Sequence, residues 1–427
     1  MSLPPSKSSE RRTAVVTAIC FAALVFDGYD MVVYGSVVPS LLEVPQWNLS
    51  PQQAGAIGSY ALFGMFFGAI AAGTLTDFIG RRRVLIGCIT WFSALMIPVA
   101  LAPTPELLGL FRFLAGLGLG GLVPTTIALV VETAPKERRN LINSIMLAGF
   151  PAGGMLAAFA TILLLEPIGF RGMFMLGALP LVTLVPLAVW LLPESTDFTA
   201  ARSARSDRSD SATSESGTVR DLFRGRTSVA ATLLAISIAS GLCLNYALNT
   251  WLPKLMQGAG YELGSALTFL LVLNFGGVLG GLFGSALADL RGGKWVACGM
   301  FLIAGLSLFV VSIPKPIVLT YLVIGISGAT VLGAGIVVYG YIATHFPTGY
   351  RATALGFTSG FGRLGAIAGP LIGGALVAAA AGLTASVAVF AAIATLGALA
   401  VVLVPSVRES PTGTSSPAQM DKSLVQP

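Results

Sequence analysis

Long apolar runs fill this chain, with short polar stretches between them. A helix needs about 20 apolar residues to cross a bilayer. Runs of that kind lie near 14–40, 52–75, 84–102, 106–131, 141–165 and 170–192. After a polar stretch, six more lie near 228–252, 264–288, 294–313, 316–343, 352–380 and 384–405. The pattern predicts an all-α membrane protein with twelve transmembrane helices. Its parts are an N-terminal tail (1–13), a six-helix half (14–192), a linker (193–227), a second six-helix half (228–405) and a C-terminal tail (406–427). The linker is rich in Ser, Thr, Arg and Asp, and reads as a solvated, flexible connection.

The halves repeat. An offset of 212 residues places Tyr34 on Tyr246, Asp77 on Asp289, Pro135 on Pro347 and Arg139 on Arg351. The same offset places Gly80, Gly116 and Gly121 on Gly292, Gly328 and Gly333. Parallel repeats of this kind put a binding site between them, near the bilayer midplane.

Lys and Arg orient the bundle. One set of loops holds Lys7, Arg11, Arg12, Arg81 to Arg83, Lys136, Arg138, Arg139, the linker arginines, Arg291, Lys294 and Arg351. The other set offers Arg171, Lys254 and Lys315. The positive-inside bias therefore predicts both termini in the cytoplasm.

Composition narrows the class further. Of 427 residues, 55% are hydrophobic and 10% charged, against roughly 25% charged in soluble proteins. Lipid is the main solvent. The net charge of +6 does not imply nucleic-acid binding, because the basic residues form no continuous patch. Cys20, Cys88, Cys243 and Cys298 lie inside apolar segments without metal-ligand spacing, and read as packing residues. The basic N-terminus imitates a signal peptide. Its apolar run lacks a small-residue cleavage site, however, and continues through Asp27 and Asp30 to Pro39, so it reads as a retained helix.

The buried charges carry the chemistry. The first helix contains Phe26-Asp27-Gly28-Tyr29-Asp30 and then Tyr34. Asp27 lies about 20 Å beyond Ala14 at about 1.5 Å per residue. Asp27 and Asp30 are three apart and share a helix face, which Tyr34 extends. Two carboxylates at that depth oppose each other's ionisation, as a proton carrier requires. The competing reading pairs them structurally with Arg112 or Arg363. Arg112 in the fourth helix calls for a partner or water, through either proton coupling or structural pairing. Glu132, at the end of that helix, reads as a gate, an ion pair or a coupling residue. Arg363 in the eleventh helix can grip a carboxylate bidentately. Asn245 and Asn249 must find partners when buried. They join Tyr34, Tyr246, Trp251 and Tyr339 as candidate substrate contacts. His345, the only histidine, sits at the end of the tenth helix as a gate or exposed residue.

Three motifs bring in a family. Gly73-Thr-Leu-Thr-Asp77-Phe-Ile-Gly80-Arg81-Arg82-Arg83 and Arg112-Phe-Leu-Ala-Gly116-Leu-Gly118-Leu-Gly120-Gly121 resemble signatures of the major facilitator superfamily. Asp27-Gly-Tyr-Asp30 resembles the Asp-Gly-x-Asp motif of its aromatic acid/proton symporter family, and the likeness runs the length of the chain. The stretch from Asp27 to Leu41 looks most like benzoate and hydroxybenzoate (gentisate-type) members. The resemblance implies the major facilitator fold. It also puts Asp27, Asp30, Asp77, Arg112, Glu132, Asp289, Arg351 and Arg363 on family functional positions. Asp77, Arg81, Asp289 and Arg351 then read as gating residues. The chain departs from the pattern at Lys294, where several members have a histidine. The Gly365-x-x-x-Gly369-Pro370 spacing imitates an antiporter motif that belongs in the fifth helix, so symport is expected.

The expected function is proton-coupled import of an aromatic carboxylate across a bacterial inner membrane, by a chain working as a monomer. No cofactor or metal is expected. Rival readings are a carrier of another organic anion or small metabolite, and a membrane sensor. An enzyme is disfavoured, since no nucleophile lies beside a base.

Overall fold

The computed structural model describes residues 7–135, 138–193, 225–346 and 348–405. The described residues form α1 (Lys7–Leu42), α2 (Pro51–Ile79), α3 (Arg81–Leu101), α4 (Pro105–Thr133), α5 (Arg139–Leu147), α6 (Gly149–Leu176), α7 (Leu184–Leu191), α8 (Gly225–Gly258), α9 (Leu263–Arg291), α10 (Gly293–Val311), α11 (Ile317–His345), α12 (Thr348–Ala378) and α13 (Gly382–Val402). Most of the expected linker, and the C-terminal tail, lie outside the described residues.

Among the described residues, eleven helical stretches are long and apolar enough to cross a bilayer. The remaining crossing, the sixth in chain order, is broken. Gly169 turns the chain inside α6 with φ 64°, a conformation that glycine adopts without steric cost. The sixth crossing then runs from Phe170 to Leu191, interrupted by a tight 3-10 turn at Leu179–Leu181 that contains Pro180. Proline lacks the N–H a continuous helix needs.

The first helix differs from expectation at its start. It begins at Lys7, not Ala14, and spans 36 residues, or about 54 Å at about 1.5 Å per residue. The hydrocarbon core is only about 30 Å thick, so the basic first turns continue the helix beyond the apolar region.

Hydrogen bonds sort the loops into two faces. On the face where the chain begins, the Thr13 hydroxyl donates to Thr133 O, Arg82 to Val189 O, and Lys294 to Val404 O. This is the terminal face. On the far face, the Trp47 indole donates to Pro103 O, and Arg171 to Ala102 O. Ser50 caps α2 in a reciprocal box with Gln53, and Thr104 caps α4, which satisfies backbone N–H groups the helices leave free.

Glycine sets the helix spacing, since association in lipid depends on close packing. A Cβ on Gly116 would lie 2.1 Å from Ala61 O, pressing α4 off α2. Its repeat equivalent, Gly328 of α11, would meet Leu273 O of α9 at 1.9 Å. The duplication is therefore one of packing as well as of sequence. Gly116→Leu should destabilise the protein by about 1–3 kcal/mol or more through overpacking. Gly73→Ala, which meets open space, should be nearly neutral. Thermal unfolding of the purified protein in detergent checks both; equal losses would contradict this packing account.

Candidate functional site

The buried charges named from the sequence gather around α1, where it packs against both halves. Gly28 lets α1 lie directly on α6, since a Cβ there would meet Phe150 O at 1.9 Å. Tyr29 fixes the rotation of α1 by donating from its hydroxyl to Met173 O at 2.8 Å. Asp27 and Asp30 are thereby held inside the bundle, 0% and 1% exposed.

The two aspartates divide between two arginines. Asp30 forms an ion pair with Arg112 of α4 at 3.5 Å, within the first half. Neither oxygen of Asp30 has a hydrogen bond of good geometry. The Arg112 guanidinium also lies 4.5 Å from the centre of the Tyr34 ring, a cation–π contact. Tyr34 donates to Ala54 O, so it braces α1, α2 and α4. Asp27 instead feels the charge of Arg363, on α12 of the second half. Both Asp27 oxygens are buried without a hydrogen bond, and no direct ion pair joins Asp27 to Arg363. Arg363 lies within hydrogen-bonding reach of Tyr246, which Tyr339 neighbours. Arg363 and Tyr339 are half-buried, and Tyr246 is buried. The shared helix face read from sequence therefore serves two partners, one in each half.

A chain of amides lies beside these charges. Asn249 donates to Asn245 Oδ1 at 2.8 Å, and Asn274 donates to Asn249 Oδ1 at 2.8 Å. Asn274 was missed in the sequence. Its signal was a single polar residue in the otherwise apolar and glycine-rich run Leu273-Asn274-Phe275-Gly276-Gly277 of α9. Trp251 does not join the site. Its indole donates to Pro370 O at 2.8 Å, and its ring fills the space over Gly373.

The seam between the halves is closed from mid-depth to the far face. Gly55 and Gly58 of α2 lie against Pro370, Gly374 lies against Pro51, and Gly35 lies against Asn249 O. Ser59 donates across it to Ile367 O at 2.7 Å. Asp27 and Arg363 sit just on the terminal-face side of this closure.

The expected gating residues are scattered over the terminal face. Arg81 forms an ion pair with Glu132. Glu132 is thus brought to the α2–α3 turn rather than to Asp30 and Arg112. Arg351 donates to Phe346 O at 3.3 Å. Asp289 is exposed in the last turn of α9. The Asp77 side chain lies outside the described residues. His345 reaches the backbone at Pro405 and stacks near Tyr341, with ring centres 5.0 Å apart.

Comparison with known proteins decides the family. The sequence pattern of the Major Facilitator Superfamily matches residues 20–339 and again 275–427. The chain belongs to that superfamily. Within it, the chain is 36% identical over 381 residues to the benzoate transport protein of Acinetobacter baylyi, covering 83% of this chain and 81% of that one. It is 36% identical over 399 residues to the gentisate transporter of Corynebacterium glutamicum, covering 92% and 87%. A gallate transporter of Pseudomonas putida is 31% identical over 394 residues, covering 86% of each. The fold matches the inward-open xylose transporter of E. coli with a TM-score of 0.75 at 18% identity, covering 94% of this chain and 98% of that one. As a major facilitator protein, the chain is a multi-pass membrane transporter, with the family and fold that its motifs pointed to.

The Asp30–Arg112 pair generates a stability prediction. Removing one partner of a buried ion pair strands the other charge, at a cost of about 3–5 kcal/mol. Arg112→Gln should therefore lower the unfolding temperature sharply, and adding Asp30→Asn should recover most of the loss. A double variant no more stable than the single one would show that the pair is not what holds α1 to α4.

Proposed function

We propose that this protein is a proton-coupled symporter that imports aromatic carboxylates across a bacterial inner membrane. The observation that carries the reading is Asp27 facing Arg363 across the seam, with both carboxylate oxygens unbonded. A bundle held together by packing alone has no use for such a carboxylate, because burying a charge without bonds is costly. A proton carrier requires a carboxylate free to change its charge. The aromatic part of the reading rests on the relatives named for benzoate, gentisate and gallate.

The cycle we propose begins at Arg363. Arg363 has the Asp27 carboxylate opposite it. A proton on Asp27 removes that competitor, and the guanidinium then takes the substrate carboxylate, for which its planar fork is suited. Tyr246, Tyr339, Asn245 and Asn249 line the approach and meet the ring. Asp30, paired with Arg112, is the second proton position. Tyr34 supports Arg112, and Trp251 closes the far side. The halves rock about the site, and the terminal face, cytoplasmic by its Lys and Arg excess, opens to release acid and proton. Arg81 with Glu132, together with Asp77, Asp289 and Arg351, forms the cytoplasmic gate. A monoanion carried with one proton moves no net charge, and a second proton makes import electrogenic.

Proteoliposomes with an inward proton gradient test this reading. Labelled benzoate, gentisate or protocatechuate should accumulate, and dissipating the gradient should stop accumulation. Asp27→Asn and Asp30→Asn should each abolish proton-driven accumulation, because a relay carboxylate that cannot take up a proton no longer couples transport to the gradient. Arg363→Gln should remove binding of the acid. Gradient-independent uptake, or full accumulation by Asp30→Asn, would overturn the coupling.

A further inference from the structure

Two grooves on the lipid-facing perimeter are copies of each other. One, of about 290 Å³, lies among α2, α3 and α4, and Gly68, Ala71, Ala72, Leu75, Val84 and Cys88 are among its lining residues. The other, of about 260 Å³, lies among α9, α10 and α11. It is lined at the equivalent positions by Gly280, Phe283, Gly284, Leu287, Val296 and Met300. The shared shape is thus a product of the duplicated fold. Chemistry separates the two grooves. The first is also lined by Arg83 at its terminal-face end and by Trp91 deeper in. The offset puts Trp295 and Ile303 at those places in the second half.

Arg83 is the uncommitted member of its arginine run. Arg81 pairs with Glu132, and Arg82 donates to Val189 O. Arg83 is exposed and enters no described hydrogen bond or ion pair. Below it, the groove wall is apolar down to Gly68 of α2, about 16 Å from Ile79 at about 1.5 Å per residue. One leaflet of hydrocarbon is about 15 Å thick, half of the bilayer core. Trp91 is half exposed, and its ring is held in place by an indole bond to Leu114 O at 2.8 Å.

From this juxtaposition we infer that the α2–α3–α4 groove binds an anionic phospholipid, with the acyl chain against Gly68, Ala72, Gly87 and Trp91 and the phosphate on Arg83. An apolar slot one leaflet deep with a free cation at its mouth matches that ligand in length, polarity and charge. The second groove has no cation among its lining residues; Trp295 takes the place of Arg83, and the basic residue of that end, Arg291, takes the place of Ile79. The site is separate from the seam between the halves and from the transported solute.

The fold supplies its own control. Gly87 lines the first groove, and Gly299 is its repeat equivalent in the second half; a Cβ on either meets open space. A side chain can therefore be added at either position without displacing a helix: at Gly87 it enters the first groove, and at Gly299 it tests the equivalent site in the second half. The full chain, purified in detergent, is titrated with phosphatidylglycerol or with phosphatidylcholine of the same acyl chains, and bound lipid is counted by native mass spectrometry. Phosphatidylglycerol should be retained preferentially. Arg83→Gln should weaken that retention about fivefold, the effect of one basic side chain at an anionic surface. Gly87→Leu should abolish it, and Gly299→Leu should leave it unchanged. Equal retention of the two lipids, an unaffected Arg83→Gln variant, or equal losses from the two leucine variants would overturn the assignment.

Discussion

Charge inside a lipid-solvated bundle is the constraint on which this structure depends. Each ionisable group there needs a partner, water or a task, because the surroundings offer no solvation. Asp30 and Arg112 meet that demand within one half, at 3.5 Å. Asp27 and Arg363 come from opposite halves and do not touch. The first pair keeps its geometry as long as the first half stays intact. The second depends on how the halves lie, and the proposed coupling rests on that dependence.

The rest of the architecture supports that arrangement. Gly28 and Tyr29 set the depth and rotation of α1 against α6 and the broken sixth crossing. The glycine contacts of α2 with α4, repeated between α9 and α11, make each half a close-packed unit. Between the halves the contacts are of a different kind. They gather from mid-depth to the far face, around Pro370, Gly374 and the Ser59–Ile367 bond. The charged site is therefore sealed on one side by packing that a rocking motion must break.

Much of this was legible in the sequence. Run length alone marked the crossings, because the thickness of hydrocarbon is a strict ruler. The 212-residue offset foretold that Gly116 and Gly328 would have matching jobs. Asp27, Asp30, Arg112 and Arg363 stood out because charge is so rare in such segments. What the sequence did not reveal was partnership. A three-residue spacing puts two aspartates on one face, yet a modest rotation separates their neighbours into different halves. Trp251 stood as a candidate substrate contact, and its bond inside the second half depended on Pro370, far away in the chain. Asn274 was hidden for the opposite reason: one amide carries little signal until its bond to Asn249 is seen. The start of α1 at Lys7 was missed because polar residues continue a helix where lipid no longer selects against them.

The central claim is that a proton on Asp27 and the substrate carboxylate on Arg363 arrive together. Calorimetric titration of the purified protein with benzoate or gentisate, in buffers of different ionisation enthalpy, counts the protons taken up on binding. In alkaline buffers, where Asp27 is charged before the anion arrives, the account predicts uptake of about one proton per anion bound, falling as the pH is lowered and Asp27 takes its proton beforehand. It also predicts that Asp27→Asn binds the acid with no proton uptake. Binding by the unaltered protein with no proton taken up, or the same uptake by Asp27→Asn, would contradict it.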